Sequence, residues 1–172
     1  MILLAAMTLA LGIDPGTAIT GYGLVRLQAD GDLVSEGFGV ITTSSDLPAQ
    51  ERLAHLYQEL GELLLQYRPD TAAVEKLFFQ RNVSTAIAVG QARGVVLLAL
   101  TQAGIEACEY TPNEVKQAVS GYGSAAKRQV QEMVRVLLGL EDIPRPDDAA
   151  DALAVAITHL NTSRYESADK HR

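Results

Sequence analysis

Three strand-like runs follow one another at the front of this chain, and the gaps between them are too short to hold a helix. Residues 9–13, 20–28 and 33–42 are apolar or alternate apolar with small and polar residues, and the links carry turn formers, Pro15 with Gly16 and then Asp30, Gly31 and Asp32. Strands joined so closely pair as an antiparallel meander. The pattern then changes period. Leu53, Leu56, Tyr57, Leu60, Leu63 and Leu64 give 48–67 the spacing of an amphipathic helix, and 71–74 reads as a buried strand ending in Glu75. Residues 82–103, rich in Ala and Val, predict a buried helix that Gly90 and Gly94 either weaken or mark for close packing, and 106–110 predicts a fifth strand. Thr111, Pro112 and Glu114 spell a helix start with a capping box. A helix over 125–138 capped by Ser124, a loop over 139–146 and a last helix over 147–160 complete the series. The order predicts an α/β fold: a mixed five-stranded sheet, three antiparallel strands then two parallel, with helices on both faces. A right-handed crossover lets the first strand pair in parallel with the fourth, which sets Asp14 beside Glu75.

At 172 residues the chain has room for one well-packed domain, expected over 7–160. Residues 1–6 read as a disordered or upstream-start leader, and 161–172 as a polar, frayed tail. The apolar start lacks a basic segment and reaches Asp14 before any stretch long enough to span a bilayer, so no membrane role is expected. A single cysteine, Cys108, allows no internal disulfide and fits a reducing cytoplasm; it reads as a small apolar core residue. The net charge of −7 argues at first against a nucleic-acid partner. Its distribution is uneven: residues 76–135 hold seven basic and four acidic side chains, a net of +3, which leaves −10 on the rest and hints at one basic face.

Acids at three separate places carry the functional signal. Asp14 sits at the inner end of an apolar strand, where Pro15 and Gly16 already account for the turn. The stretch "DDAADALAVAITHL" sets Asp148 and Asp151 three residues apart on one face of a helix that is otherwise apolar on nearly every side until Thr158. Asp147 alone satisfies the helix start and its dipole, so the further acids call for another cause. Four carboxylates from Asp14, Glu75, Asp148 and Asp151 crowded into one cleft would repel unless they held protons or divalent cations. Oxygen-only donors favour Mg²⁺ or Mn²⁺, and two such ions about 4 Å apart are a common device of phosphoryl transfer.

The blocks "GIDPGTAITGYGLV", "AVEKLFF", "GQARGV", "VKQAVSGYGSAAKRQV" and "DDAADALAVAITH" together resemble the RuvC Holliday junction resolvases, which have an RNase H-like fold, and they occur in that family's order from about Met7 to His159. The resemblance implies a Mg²⁺-dependent endonuclease, with Mn²⁺ able to substitute and two ions per site, that resolves four-way DNA junctions by paired symmetric nicks leaving 5′-phosphate and 3′-hydroxyl ends. It implies Asp14, Glu75, Asp148 and Asp151 as catalytic metal-binding acids, with Asp148 standing where some relatives have His. It implies DNA contacts from Lys116 and Lys127 near the cut phosphate and from Phe78 stacking on opened bases, with Arg81 and Arg128 beside them. A homodimer follows from the need for two matched nicks, with the 82–103 helix as its candidate surface. Partnership with a branch-migration motor of the RuvAB kind is implied by the resemblance alone.

Other features read more plainly. Arg93 is expected on a helix face, and His159 near a helix end where it favours the dipole. Gly21 and Gly23 suggest a bulge or a close backbone approach beside Asp14. The stretch "SGYGSAAK" fails as a nucleotide loop because no Gly precedes Lys127 and Arg128 replaces the Ser or Thr that would hold Mg²⁺. A phosphotransferase of the actin and sugar-kinase type also carries a "DPGT"-like loop but needs two such domains. A junction-binding protein that does not cut would have no use for four acids.

Overall fold

Alternation along the strands decides which residues can meet. The computed structural model describes residues 7–76 and 82–169, with side chains to 164, and the sheet order is β3-β2-β1-β4-β5. The strands are β1 (Thr8–Asp14), β2 (Ile19–Leu27), β3 (Leu33–Thr42), β4 (Thr71–Glu75) and β5 (Ala107–Tyr110). The first three form the antiparallel meander, while β1 pairs in parallel with β4, and β4 with β5. Helices α1 (Ala49–Tyr67) and α2 (Val83–Gln102) cover one face. Helices α3 (Pro112–Ser120), α4 (Lys127–Leu137) and α5 (Asp147–Asp169) cover the other. The mixed sheet with helices on both faces is the α/β architecture expected.

Leu9, Leu11 and Ile13 of β1, with Ala72 and Val74 of β4, pack under α1 and α2. Ala10 and Ala73, one residue out of step, pack under α5, and the same two-residue period carries Asp14 and Glu75 to that face. Register then brings them together. Ile13 lies opposite Val74 in the parallel ladder, so Asp14 and Glu75 leave the carboxyl ends of adjacent strands.

Helix α5 is the central strut. From Ala149 to Leu160 every residue except half-buried Asp151 is buried. It can lie this deep because β1 and β2 offer glycines beneath it: a Cβ on Gly12 would stand 2.0 Å from the Ala152 carbonyl oxygen, and one on Gly21 would stand 2.0 Å from that of Asp148. The close approach expected near Asp14 is therefore that of α5. The sheet's irregularity falls between Leu24 and Val25.

Five expectations are corrected. Helix α4 starts at Lys127 with Ala126 at its cap position, and no side chain caps it; Ser124 lies too far upstream to do so. Helix α5 continues through most of the tail, with Thr162 Oγ1 donating to the Thr158 carbonyl and Ser163 Oγ to that of His159, both at 2.9 Å. His159 is consequently inside a helix, not at its end: it is buried, with Nε2 2.8 Å from Thr71 Oγ1 and Nδ1 2.9 Å from the Tyr110 hydroxyl, and it ties α5 to β4 and β5. Helix α2 is not a buried helix. Ala92, Val96, Ala99 and Leu100 face the core, while Val83, Ile87 and Leu98 are open to solvent. By length and composition α2 could cross a bilayer, but its mid-helix Arg93 pairs with Glu109 of β5 and its inner side is part of the domain core. Cys108 is half-buried, not a core residue.

Candidate active site

The turn after β1 is closed by residues other than Asp14. Thr20 Oγ1 accepts from the Gly16 amide at 3.2 Å and donates to the Gly16 carbonyl at 2.6 Å, while Thr17 Oγ1 reaches the Ala88 carbonyl of α2 at 3.0 Å. Thr43 then donates to the Thr17 carbonyl at 2.5 Å. Pinned on both sides, the loop delivers the Asp14 carboxyl to the end of the sheet beneath the first turn of α5.

There it meets the other acids. Burial, hydrogen bonding to Glu75 and the charges of Glu75, Asp151 and Asp148 together push the Asp14 carboxyl from its ordinary 3.8 up to about 9. Asp14 thus keeps its proton and is hydrogen-bonded to Glu75. Asp151 is pushed up to about 6 by burial and by the charges of Glu75 and Asp148, against the pull of Lys127. Acids from β1, β4 and α5 therefore share one electrostatic environment, as the order of strands and the Asp148–Asp151 spacing predict.

The cations stand at the rim. Lys116 of α3 and Lys127 of α4 line a cavity of about 220 Å³ together with Glu75 and Asp151. Helix α3 is anchored for this by the predicted capping box, in which the Glu114 amide donates to Thr111 Oγ1 at 3.2 Å and Glu114 Oε2 accepts from the Thr111 amide at 2.6 Å. Lys127 Nζ lies 3.3 Å from Asp147 Oδ2 and 3.5 Å from Asp151 Oδ2. Partial burial works against the charge on Lys127, but the two carboxylates outweigh it and hold the ammonium above its usual range. Arg128 is different: it points away from the acid cavity toward Glu132, in a hollow it shares with Arg135, Glu141 and Arg145. Arg93 is occupied by Glu109. Phe78 and Arg81 lie outside the described residues.

An all-carboxylate donor set suits a hard divalent cation. Among the described residues no three acid, histidine or cysteine side chains already close around one point as metal ligands would. Two contacts stand at these acids instead: the hydrogen bond between Asp14 and Glu75, and the Lys127 ammonium 3.5 Å from Asp151 Oδ2. A cation held by these acids would have to displace the Asp14 proton and the Lys127 ammonium.

Sequence reasoning passed over Asp147 as a helix-start residue, yet Lys127, Gln131 and Arg145 all converge on it. The visible signal was the excess of acids in "DDAAD" over what a helix start needs.

The acids thus stand where the central strands of the mixed sheet end, under a helix that contributes two more. The family model described as crossover junction endodeoxyribonuclease RuvC matches residues 10–159. A protein of that description from Chloroflexus aurantiacus is 60% identical over 154 residues, covering 90% of this chain and 93% of its own, and one from Rubrobacter xylanophilus is 58% identical over 158 residues, covering 92% and 88%. Among solved structures, Thermus thermophilus RuvC in complex with Holliday junction substrate superposes with a TM-score of 0.88 at 41% identity, covering 92% of this chain and 96% of its own. The yeast mitochondrial Holliday junction resolvase, at 15% identity and a TM-score of 0.66 over 99% of this chain and 88% of its own, shares the fold. This chain belongs to the RuvC family of crossover junction endodeoxyribonucleases.

Proposed function

We propose that this chain cuts four-way DNA junctions by divalent-metal-dependent hydrolysis of one phosphodiester per protomer, leaving 5′-phosphate and 3′-hydroxyl ends, in DNA recombination and repair. The observation that carries the reading is the meeting of Asp14, Glu75 and the first turn of α5 at one end of the sheet, where burial, a hydrogen bond to Glu75 and the neighbouring carboxylates push the Asp14 carboxyl up to about 9. Asp14, Glu75, Asp148 and Asp151 would hold the cations, and the donor set favours two Mg²⁺ ions with Mn²⁺ as substitute. Bound there, such ions supply Lewis-acid activation of water and neutralise charge on the phosphate. The protein's own part is placement. The strand ends fix Asp14 and Glu75, the buried α5 fixes Asp148 and Asp151, and Lys116 and Lys127 present positive charge across the cavity where a phosphate would sit. Arg128 at the exposed start of α4, with Phe78 and Arg81 after β4, extends the DNA contact beyond the cavity.

Paired nicks call for two sites related by symmetry, and α2 supplies a surface for a second copy. Val83, Ile87 and Leu98, 70%, 58% and 51% exposed, repeat at helical spacing on one side, and Gly94 on α2 has no neighbouring atom within contact range of a Cβ. Work with a branch-migration motor in the cytoplasm belongs to the same reading. The deciding experiment is a gel assay with an end-labelled four-way junction. The parental protein is expected to give symmetric nicks with Mg²⁺ and none with EDTA, and folded Asp148→Asn to bind without cutting. Cleavage by Asp148→Asn at the parental rate would remove the catalytic assignment.

A further inference from the structure

Asp147 stands beside the four proposed ligands but is not one of them. It sits one residue before Asp148, is half-buried, and receives three partners: Lys127 Nζ at 3.3 Å on Oδ2, then Gln131 Nε2 at 3.1 Å and Arg145 Nη1 at 3.5 Å on Oδ1. Gln131 is itself buried, one turn beyond Lys127 on α4, so the carboxylate is held against that helix from a fixed direction. Lys127 meanwhile divides its charge between Asp147 and the metal-binding acid Asp151, 3.5 Å away.

We propose that Asp147 is a positioning residue that draws the Lys127 ammonium off Asp151, so that a divalent cation can claim Asp151 while Lys127 stays at the rim of the cavity. The physics is a competition. An ammonium in contact with Asp151 excludes a cation from the same oxygen, and a cation on Asp151 repels the ammonium at close range. With Asp147 present, Lys127 has a second carboxylate to fall back on without leaving the site. Without it, Lys127 has Asp151 alone, and metal must displace a whole ion pair. Charge at the first turn of α4 sharpens the need, because Lys127 and Arg128 stand at the positive end of that helix's dipole and gain nothing from it.

The inference rests on the reading of Asp151 as a metal ligand, and the test separates the two. Mn²⁺ binding to the purified full-length protein is measured by calorimetry without DNA, alongside junction cleavage as a function of Mg²⁺ concentration. Asp147→Asn keeps the oxygen that receives Gln131 and Arg145 and removes only the charge. It is expected to weaken Mn²⁺ binding and raise the Mg²⁺ needed for half-maximal cleavage by roughly three- to fivefold, the scale of one partly exposed ion pair. The rate at saturating Mg²⁺ should change less, and Asp147→Glu should recover most of the loss. In a Lys127→Ala background, Asp147→Asn should have almost no effect on Mn²⁺ binding. An equal loss in that background would mean that Asp147 acts through space on the cation, and unchanged binding in Asp147→Asn itself would mean that it does not act at all; either overturns the inference. If Asp151→Asn binds Mn²⁺ as the parent does, the metal assignment is what has failed.

Discussion

Two long apolar helices, α2 and α5, look alike in composition and do opposite things. Helix α5 is buried on every side through its middle, with Leu153, Val155 and Ile157 wholly covered by the sheet, α3 and α4. Helix α2 buries one side and leaves an apolar ridge in solvent. The difference lies less in the helices than in what faces them. Beneath α5 the strands carry Gly12 and Gly21, which let the helix backbone come down onto the sheet, whereas α2 rests on larger side chains, Ile13 and Val74 among those in its cluster. Depth serves the site: a helix fixed from all sides can hold two acids against repulsion, which a surface helix would relieve by moving.

Removing a carboxylate tests that role most severely. Asp151→Asn should lower Mg²⁺-dependent junction cleavage by roughly 10³-fold or more, since a cation's charge stabilisation is worth several kcal/mol in the transition state. Its fold, read by circular dichroism, should be kept, and its metal-free stability should not fall, because the substitution relieves crowding of charge. A comparable loss from any substitution on the exposed ridge of α2, measured on a protein whose state of association is unchanged, would break the contrast.

Truncating one leucine in each helix sharpens it. Leu153→Ala should cost about 2–5 kcal/mol in chemical denaturation, because it leaves a cavity in a fully packed core. Leu98→Ala, at a site 51% exposed, should cost the isolated protomer less than about 0.5 kcal/mol. Equal costs would mean that the ridge is covered within the protomer.

The Gly21 contact is the next lever. A Cβ there would collide with the backbone of Asp148, and only a shift of α5 or β2 could make room. Gly21→Ala should destabilise by about 1–3 kcal/mol, as overpacking does, and should slow cleavage more than Leu153→Ala does at matched stability, because the displaced atoms belong to Asp148, a proposed metal ligand.

The order of elements was legible because each segment's period was strong and the turn chemistry between segments agreed with it. Thr111 and Glu114 even form the capping box that their spacing spells. The four acids were legible as a set because strand alternation, parallel pairing and the helical repeat each placed one or two of them, and the family resemblance tied them together. What was not legible depended on neighbours distant along the chain. The burial of α5 and the openness of α2 are set by Gly12 and Gly21 under one and by the lack of a covering element over the other; composition registers neither. The tie from His159 to Thr71 and Tyr110 needs the helix to run past it into a polar tail, which local pattern reads as an end. Ala126 starts α4 without a side-chain cap, and no start signal exists there to be read.

Proton binding gives an effect that belongs to the α5 side alone. Asp14 and Asp151 hold protons more tightly folded than unfolded, at about 9 and about 6 against an ordinary 3.8. Their contribution to stability is complete below about pH 4 and is lost as pH rises through about 6 and then about 9. Carboxylates shifted the other way, such as Glu36 beside Arg26 and Glu114 in its capping box, have completed their opposite gain by about pH 5. The melting temperature of metal-free protein should therefore fall between pH 5 and 9, and added Mg²⁺ should restore more of it at the higher pH. A flat profile in EDTA would mean that the acids of β1 and α5 do not crowd.

The smallest expected effect bears on α2. Gly94 lies inside this helix with open space where a Cβ would stand, so within the protomer nothing requires glycine. Gly94→Ala should then stabilise a dilute, monomeric sample by about 0.5–1 kcal/mol through helix propensity. At higher concentration the same methyl group meets whatever packs on the ridge of Val83, Ile87 and Leu98. If a second copy approaches closely there, sedimentation should show weaker association even as the protomer gains stability. A gain in stability with association unchanged would place the pairing surface elsewhere and leave the exposed ridge of α2 without this purpose. Opposite signs for Gly94→Ala and Gly21→Ala in the dilute protomer would express the contrast between the helices in a single substitution type: one glycine makes room inside the fold, and the other makes room for a neighbour outside it.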